Sequence, residues 1–388
     1  MYKKKIVCYW SPFISNVATV KAVFNSALSL NKFSKGKYDS IIIDVFGEWK
    51  NSKLENLNQI KFYNLNYIKY LFIFSSNGFL KSRIKYAIIF IISFFSLKNF
   101  LKKFKPDFLI IHLITSLPLF LNLFYNFDTK IILRISGKPK INLLRYFFWK
   151  ITLKKIYKIT FPTLESLAYF KSLKIVDQDK VKLLYDPVFQ VRELVKKKSE
   201  EIKTDINLKK NNFYLAIGRL TKQKNFTFLV KCFAKLIKNN PEIKLVIIGE
   251  GEEEKKIKKW ISNQNLSNNI FLVGHKSNVF SYLKNSKAFI LSSLWEDPGF
   301  VLIEALISET LVLSSDCSNG PKEIVGKTNG ILFKNNSEDD FMHKFKILLN
   351  LNEADRRNMI INAKKTAKKF SIFNHYKTLE KYLYSLDD

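Results

Sequence analysis

The sequence predicts two doubly wound α/β domains, each with a parallel sheet between layers of helices. Short apolar runs alternate with longer amphipathic segments along the whole chain, which is the pattern of βα units. The 388 residues also exceed what one compact core usually holds. A charged segment poor in aromatic residues, 191–212, separates two such series and indicates a linker.

Apolar runs bounded by turn residues are typical of strands in buried parallel sheets. In the first series we predict strands at 4–9, 40–45, 60–63, 108–112, 130–135, 158–161 and 181–184. In the second series we predict strands at 213–217, 244–248, 270–273, 288–291, 311–314 and 331–333. Helices fill the gaps.

These elements divide the chain into four segments. We predict an N-terminal domain at residues 1–190, a linker at 191–212, a second domain at 213–365 and a C-terminal helix at 366–388 that packs back toward the first domain. Since ligands bind at the carboxyl ends of strands in such sheets, we expect a cleft between the domains.

The net charge is +32, and residues 1–190 carry 31 Lys and Arg against 10 Asp and Glu. A hydrophobic content of 47% excludes a disordered chain. Compositional drift and attraction to an anionic membrane surface both explain the charge. Nucleic acid is the least favoured partner, because no helix-turn-helix, RNA-recognition or oligonucleotide-barrel signature accompanies the charge.

Three scattered cysteines, Cys8, Cys232 and Cys317, argue against a disulfide framework and favour a reducing compartment. The four histidines lie far apart, so we predict no metal site.

The apolar run 6–10 is too short for a secretory signal. The uncharged run 86–97 would span ~18 Å as a helix, less than the ~30 Å hydrocarbon core. Its basic flanks fit an interfacial helix, and a core helix with solvated ends is an equal alternative.

The loop after strand 288–291 combines a Pro-Gly break, the start of an apolar helix and two carboxylates, Glu296 and Glu304. Backbone N–H groups at a helix start can bind phosphate, and carboxylates can bind sugar hydroxyls. We therefore predict a nucleotide-sugar site at this sheet edge.

The loop after strand 213–217 offers Gly218 for a sharp turn, Arg219 as a planar phosphate-binding fork and Lys224 as a point charge. Alone, a basic loop of this kind is more often a solvated turn. Gly249 and Gly251 permit close backbone approach, which a tight turn explains equally well. Neither loop contains a dinucleotide-binding fingerprint or a phosphate-loop lysine.

Five ordered motifs between about residues 213 and 333 resemble those of the retaining family 4 glycosyltransferases, which have the GT-B fold of two Rossmann-like domains. They are Gly218-Arg219-Leu220 with Gln223-Lys224-Asn225, Gly249-Glu250-Gly251, Gly274-His275 with Asn278, Glu296 with Glu304, and Gly320-Pro321-Lys322-Glu323-Ile324. The Pro-Gly-Phe and Gly-Pro-Lys-Glu-Ile sequences in this region look most similar to those of bacterial enzymes that build lipopolysaccharide, capsule or lipid-linked oligosaccharides, some of which are hexosamine transferases.

The resemblance implies roles for these residues. Arg219 and Lys224 would neutralise the leaving diphosphate in place of a metal, and Glu296 would hold the donor sugar; these three are the predicted catalytic residues. Glu304 would bind the ribose. The remaining predicted donor-binding residues are Gly218, Gly249, Gly251, His275, Asn278, Gly299, Phe300 and Val301.

The first domain departs from the family pattern. Residues 11–17, including Asn16, replace a Gly-Gly loop, and Ser136 stands where relatives often have a histidine. His112 ends a predicted strand at the same edge. We predict these three residues as cleft contacts, although a lone histidine is as often structural.

Taken with the resemblance, the sequence predicts a retaining, metal-independent hexosyl- or hexosaminyltransferase that needs no cofactor. Its donor would be a UDP- or GDP-sugar and its acceptor a lipid-linked or lipopolysaccharide-type glycan. We expect a cytoplasmic protein, peripheral on the inner membrane face. Two alternatives are a basic nucleic-acid-binding protein, with strongly salt-dependent affinity, and a catalytically inactive GT-B scaffold.

Overall fold

The structure is a computed structural model that describes residues 4–14, 18–50, 52, 54, 57–66, 79–139, 141–202, 208 and 210–384. The chain divides into two compact units. Unit 1 comprises Met1–Val188 and Ile372–Asp388, and unit 2 comprises Phe189–Ser371. Each contains a fully parallel sheet, which confirms the predicted doubly wound α/β fold class.

Unit 1 contains strands and helices that alternate as predicted. The strands are β1 (Lys5–Trp10), β2 (Tyr38–Asp44), β3 (Lys61–Asn64), β4 (Phe108–Ile111), β5 (Lys130–Arg134), β6 (Lys158–Phe161) and β7 (Val181–Leu183). The helices are α1 (Ala18–Phe33), α2 (Phe79–Phe104), α3 (Ser116–Phe124), α4 (Leu143–Thr152) and α5 (Leu164–Ser172). The strand order is β3-β2-β1-β4-β5-β6-β7, so the winding direction reverses between β1 and β4.

Unit 2 begins with α6 (Val191–Ser199), which lies inside the segment predicted as a linker. The strands are β8 (Tyr214–Ile217), β9 (Leu245–Ile248), β10 (Ile270–Leu272), β11 (Ala288–Leu291), β12 (Val312–Ser315) and β13 (Ile331–Phe333). The further helices are α7 (Phe226–Asn239), α8 (Glu254–Asn263), α9 (Phe280–Asn285), α10 (Phe300–Ile307), α11 (Pro321–Ile324), α12 (Glu338–Leu349) and α13 (Glu353–Ala367). The strand order is β10-β9-β8-β11-β12-β13.

The last helix, α14 (Ile372–Leu383), belongs to unit 1 and packs against α1. His375 anchors it: one ring nitrogen, Nδ1, lies 2.7 Å from the carbonyl oxygen of Tyr185, and Nε2 lies 2.8 Å from Ser26 Oγ. Burial lowers the pKa of His375 to about 3. The imidazole therefore stays neutral and donates from Nδ1 while Nε2 accepts.

The two faces of the unit 1 sheet carry separate cores. One core joins the sheet to α2, α3, α4 and α5 and includes Leu97, Ile111 and Phe161. The other joins it to α1 and α14 and includes Val23 and Leu379. Covering both faces with apolar side chains is what makes the strands nearly continuous apolar runs, such as β4 with four buried residues.

Helix α2 has an apolar side in the core and a second apolar side in solvent. Ile89 and Leu97 are buried in the core of unit 1, whereas Ile91 and Phe95 are exposed. In the described part of the chain, one helical stretch, Arg83–Phe104, is long and apolar enough to cross a membrane by length and composition. Core helices of soluble proteins meet the same criterion.

Candidate active site

The predicted site residues of unit 2 lie where the winding direction of its sheet reverses. From β8 the chain runs outward to β9 and β10, and it then returns to β11 on the other side of β8. Ala288 pairs with Tyr214 in register across β8 and β11. Ligands of doubly wound sheets bind at this reversal, outside the carboxyl ends of the strands.

The loops after β8 and β9 touch at their glycines. A Cβ atom on Gly249, which has a φ of 144°, would overlap the carbonyl oxygen of Gly218, and a Cβ on Gly251 would overlap that of Leu220. The Leu220 amide donates to the Glu250 carbonyl over 2.9 Å. The glycines are therefore explained by loop contact, and their contact with a donor stays a prediction.

Lys224 and Glu296 meet directly at this edge although 72 residues separate them. Lys224 Nζ lies 2.5 Å from Glu296 Oε1, and the same oxygen accepts a hydrogen bond of 2.5 Å from Ser293 Oγ. The two ionised side chains are only 14% and 5% exposed. The aliphatic part of Lys224 covers Gly218, because a Cβ there would lie 3.0 Å from Lys224 Cε.

The loop after β11 is tied to the loop after β8 by hydrogen bonds. Leu294 N donates to the Gln223 carbonyl over 2.8 Å, Gln223 Nε2 donates to the Trp295 carbonyl over 2.9 Å, and Ser292 Oγ donates to the Lys224 carbonyl over 2.8 Å. These bonds hold the Lys224 ammonium and the Glu296 carboxylate in one arrangement, as expected for a preorganised site.

Helix α10 starts at the same edge. Gly299 precedes it with a φ of 93°, and a Cβ there would lie 3.3 Å from Glu296 Cγ, so the helix start packs against the loop after β11. The amides of Phe300 and Val301 belong to the first turn, where amides have no partner within the helix. Glu304, which is half-buried, follows ~6 Å further along the helix axis.

Three further predicted residues lie in the loops after β8 and β10, and no described contact joins them to Lys224 or Glu296. Arg219 is exposed and directly follows Gly218 at the end of β8. His275 is exposed, and its amide donates to Glu250 Oε1 over 3.3 Å. The Asn278 side chain donates to the Lys197 carbonyl and accepts from the Phe280 amide, so it fastens α6 to the start of α9. Contacts of these residues with a nucleotide stay predictions.

Similarity to known proteins agrees with this geometry. The family described as "Glycosyl transferases group 1" matches residues 198–366. An uncharacterised glycosyltransferase of Methanocaldococcus jannaschii is 33% identical over 251 residues, which cover 60% of this chain and 61% of that protein. A Campylobacter jejuni α-1,4-N-acetyl-D-galactosaminyltransferase, named for a substrate linked to PP-undecaprenol, is 28% identical over 285 residues, covering 72% and 75%. The crystal structure of Anabaena HepE in complex with UDP aligns with a TM-score of 0.70 at 13% identity, covering 98% and 99%.

Residues 198–366 form a group 1 glycosyltransferase domain. The likeness to HepE shows the fold, and with it the chain has the predicted GT-B fold. The chain spans 61% of the length of the Methanocaldococcus relative.

The supporting roles of several residues in the glycosyltransferase domain were not predicted. Ser293 holds Glu296, Gln223 holds the Trp295 carbonyl, and Asn319 Nδ2 donates to Asp297 Oδ1. A Cβ on Gly320 would overlap the Pro298 carbonyl, so the loop after β12 also contacts the loop after β11. The one sequence signal for Ser293 is the small polar turn Ser292-Ser293, which lies between β11 and Glu296.

Outside the glycosyltransferase domain, His112 and Ser136 line one pocket of about 890 Å³ in unit 1. This pocket lies at the carboxyl edge of the sheet beside β1 and β4, where the winding direction reverses. His112 is 8% exposed; burial, aided by the charge of Arg134, holds its pKa well below the usual range. The imidazole is therefore neutral. Asn16 lies outside the described residues.

The cysteines are buried thiols. Burial raises the pKa of Cys232 and of Cys317 to about 12, and it raises the pKa of Cys8 well above its usual range. All three stay protonated near neutral pH and offer no thiolate nucleophile. Among the described residues, no three His, Cys, Asp or Glu side chains form a group suited to a metal ion.

Proposed function

We propose that the chain is a retaining, metal-independent glycosyltransferase that transfers a hexose or hexosamine from a UDP- or GDP-sugar to a lipid-linked or lipopolysaccharide-type acceptor at the cytoplasmic membrane face. The group 1 domain supports the reaction class. The UDP complex of HepE supports a nucleotide donor, and the name of the Campylobacter relative supports a hexosamine and an isoprenoid diphosphate acceptor.

The observation that carries the proposal is the pairing of Lys224 with Glu296 at the sheet reversal. A glutamate that must hold sugar hydroxyls and a lysine that must hold phosphate belong side by side, because the two parts of the donor are joined by one bond. The carboxylate oxygen Oε1 is occupied by Lys224 and Ser293, which leaves Oε2 to accept a sugar hydroxyl.

The positive groups at this edge suit a diphosphate. Arg219 is exposed on the neighbouring loop and has a guanidinium suited to bidentate phosphate binding, and the amides of Phe300 and Val301 add the partial positive charge of a helix start. In the proposed reaction these groups stabilise the charge that grows on the leaving diphosphate, the role a divalent cation has in other enzymes.

The proposed bond changes balance without a protein nucleophile. The bond between the donor's anomeric carbon and the diphosphate oxygen breaks, and the acceptor hydroxyl oxygen bonds to that carbon on the same face. The hydroxyl proton passes to the leaving phosphate oxygen. We place the acceptor beside His112 and Ser136 in unit 1, where the neutral imidazole can exchange hydrogen bonds but contributes no charge.

A transfer assay tests the proposal. The purified chain is incubated in EDTA with UDP-, GDP- or ADP-sugars and an isoprenoid diphosphate-linked N-acetylhexosamine, and products are separated by chromatography. We expect transfer from one nucleotide class with the donor's anomeric configuration kept, as read by NMR. Glu296→Gln should lower kcat at least ~100-fold, since the proposed role of its carboxylate is to hold the transferred sugar.

Matched controls separate the site from general effects. Arg357→Ala removes an exposed arginine from α13, and Glu242→Ala removes an exposed glutamate from the opposite edge of the sheet; both should behave as wild type. A requirement for a divalent cation would contradict metal independence, and an inverted product would contradict retention. No transfer from any of these donors would contradict the proposed reaction itself.

A further inference from the structure

Unit 1 exposes large apolar side chains on three successive helices. Leu144 on α4 is 82% exposed and Ile91 on α2 is 70% exposed. Such residues are normally scattered singly on a soluble surface, whereas a contiguous group marks an interaction site. The group, here called the apolar face, consists of Ile84, Ile91, Phe95, Phe124, Leu143, Leu144, Phe147 and Ile151.

The three helices that carry the apolar face lie side by side on one side of the sheet. Phe90 and Phe94 of α2 contact the ring of Phe120 of α3, with centroids 5.8 and 6.2 Å apart. Lys155, just after α4, donates to the Leu123 carbonyl of α3 over 3.1 Å. Side chains of α2, α3 and α4 also share the core on this side of the sheet.

The segment that forms the apolar face is strongly basic. Residues 79–155 carry 15 Lys and Arg and two acids, Asp107 and Asp128. Asp107 accepts a hydrogen bond from the Ile6 amide, and Asp128 pairs with Lys105 at 2.8 Å. The segment therefore keeps a net charge of +13 (15 − 2), and Lys150 and Lys154, in and just after α4, are both exposed.

We propose that the apolar face binds an anionic phospholipid bilayer, with α4 inserted among the headgroups and basic residues on the lipid phosphates. Apolar side chains flanked by lysines are the chemistry of an interfacial helix. A second copy of this chain would bring the same positive charge against itself, which disfavours it as the occupant. Because Ile89 and Leu97 are buried in the core, α2 lies along the bilayer rather than across it.

The position of the apolar face connects it to the proposed acceptor. Tyr86 of α2 and Leu144 and Arg145 of α4 line the pocket of about 890 Å³ that contains His112. A glycan tethered to an isoprenoid chain in the bilayer would reach this pocket without leaving the membrane surface. This consequence rests on the proposed function, whereas bilayer binding itself can be measured without donor or acceptor.

Vesicle flotation tests the inference. The full chain is mixed at low salt with phosphatidylcholine vesicles, with or without phosphatidylglycerol. We expect the chain to float with the anionic vesicles, and the double variant Leu144→Ser, Phe147→Ser to bind about tenfold more weakly. Its matched control is Val191→Ser, Val195→Ser, which removes two exposed apolar residues from α6 in unit 2 and should bind as wild type.

A second pair of variants tests the charge. Lys150→Gln, Lys154→Gln should weaken binding several-fold and make it less dependent on salt, whereas Lys255→Gln, Lys259→Gln on α8 should not. In the wild-type chain, anionic vesicles should slow the hydrogen exchange of peptides from α2 and α4. This measurement does not depend on whether a variant folds.

Three results would overturn the inference: equal binding to neutral and anionic vesicles, wild-type binding by both the Leu144, Phe147 and the Lys150, Lys154 double variants, or no vesicle protection of α2 and α4. Light scattering that shows a dimer, converted to monomer by Leu144→Ser, Phe147→Ser, would also overturn it, since the occupant would then be a second copy. Transfer to a water-soluble acceptor is measured separately, so failure of bilayer binding is distinguishable from failure of the proposed reaction.

Discussion

Replacing Lys224 by Met is expected to destabilise unit 2 even without donor. The Glu296 side chain is 5% exposed. Without Lys224, Ser293 is the one side chain that still donates a hydrogen bond to this carboxylate in the described part of the structure. Removing one member of a buried ion pair costs 3–5 kcal/mol, because the other charge stays desolvated. Lys224 is 14% exposed, so water reaches the site, and we expect the lower end, about 3 kcal/mol.

The double variant Lys224→Met, Glu296→Gln removes both charges and should cost about 2 kcal/mol less than the sum of the single changes. Urea unfolding, followed by hydrogen exchange of peptides from β11 and α10, reports on unit 2 specifically. A single-variant cost under about 1 kcal/mol, or additive costs in the double variant, would refute the claim that these two side chains form a desolvated pair.

Three further outcomes are expected. Gly249→Ala should cost about 3 kcal/mol in urea unfolding, because its φ of 144° is strained for alanine and the Cβ meets the Gly218 carbonyl, whereas Gly326→Ala has room and should cost far less. Ser293→Ala should weaken donor binding several-fold in calorimetry while the Lys224 pair persists, since one hydrogen bond to Glu296 is lost. Folding lowers the pKa of His375 from 6.5 to about 3, so as pH falls below 6.5 the unfolded chain binds a proton that the folded chain does not. The wild type should therefore lose about 1.4 kcal/mol per pH unit from this group between pH 6.5 and 4.5, and a urea titration of His375→Asn should lack that part of the slope.

The fold could be predicted from the sequence because both sheets are buried on two faces. Most of these strands are largely apolar, the edge strand β3 being the exposed exception, and every strand predicted here is present with its ends shifted by at most two residues. The segment 191–199 was predicted as linker, yet it forms α6. The lysine-rich sequence of this segment does not indicate a helix. Helix α6 is instead held by contacts with residues distant in the chain: Lys198 pairs with Glu309, and Asn278 donates to the Lys197 carbonyl.

The candidate site could be predicted only in part. The order of the motifs predicted that Lys224 and Glu296 lie at one edge of the sheet. The sequence gives no sign that the two side chains, 72 residues apart, pair directly. The role of Ser293 depends on a side-chain rotamer, which local sequence does not determine. The apolar face could also be predicted only in part: the run 86–97 left an interfacial helix and a core helix open, and no sequence pattern indicated that Leu144 of α4 is exposed.

The measurement that tests the central claim most directly is calorimetric titration of UDP and GDP into the full chain in EDTA. The account predicts binding of at least one of these diphosphates at the edge formed by Arg219, Lys224 and α10. Arg219→Ala and Glu304→Ala should each weaken it at least tenfold, while Glu242→Ala should not. Binding of neither diphosphate, or unchanged affinity in both site variants, would contradict a nucleotide-sugar site in unit 2.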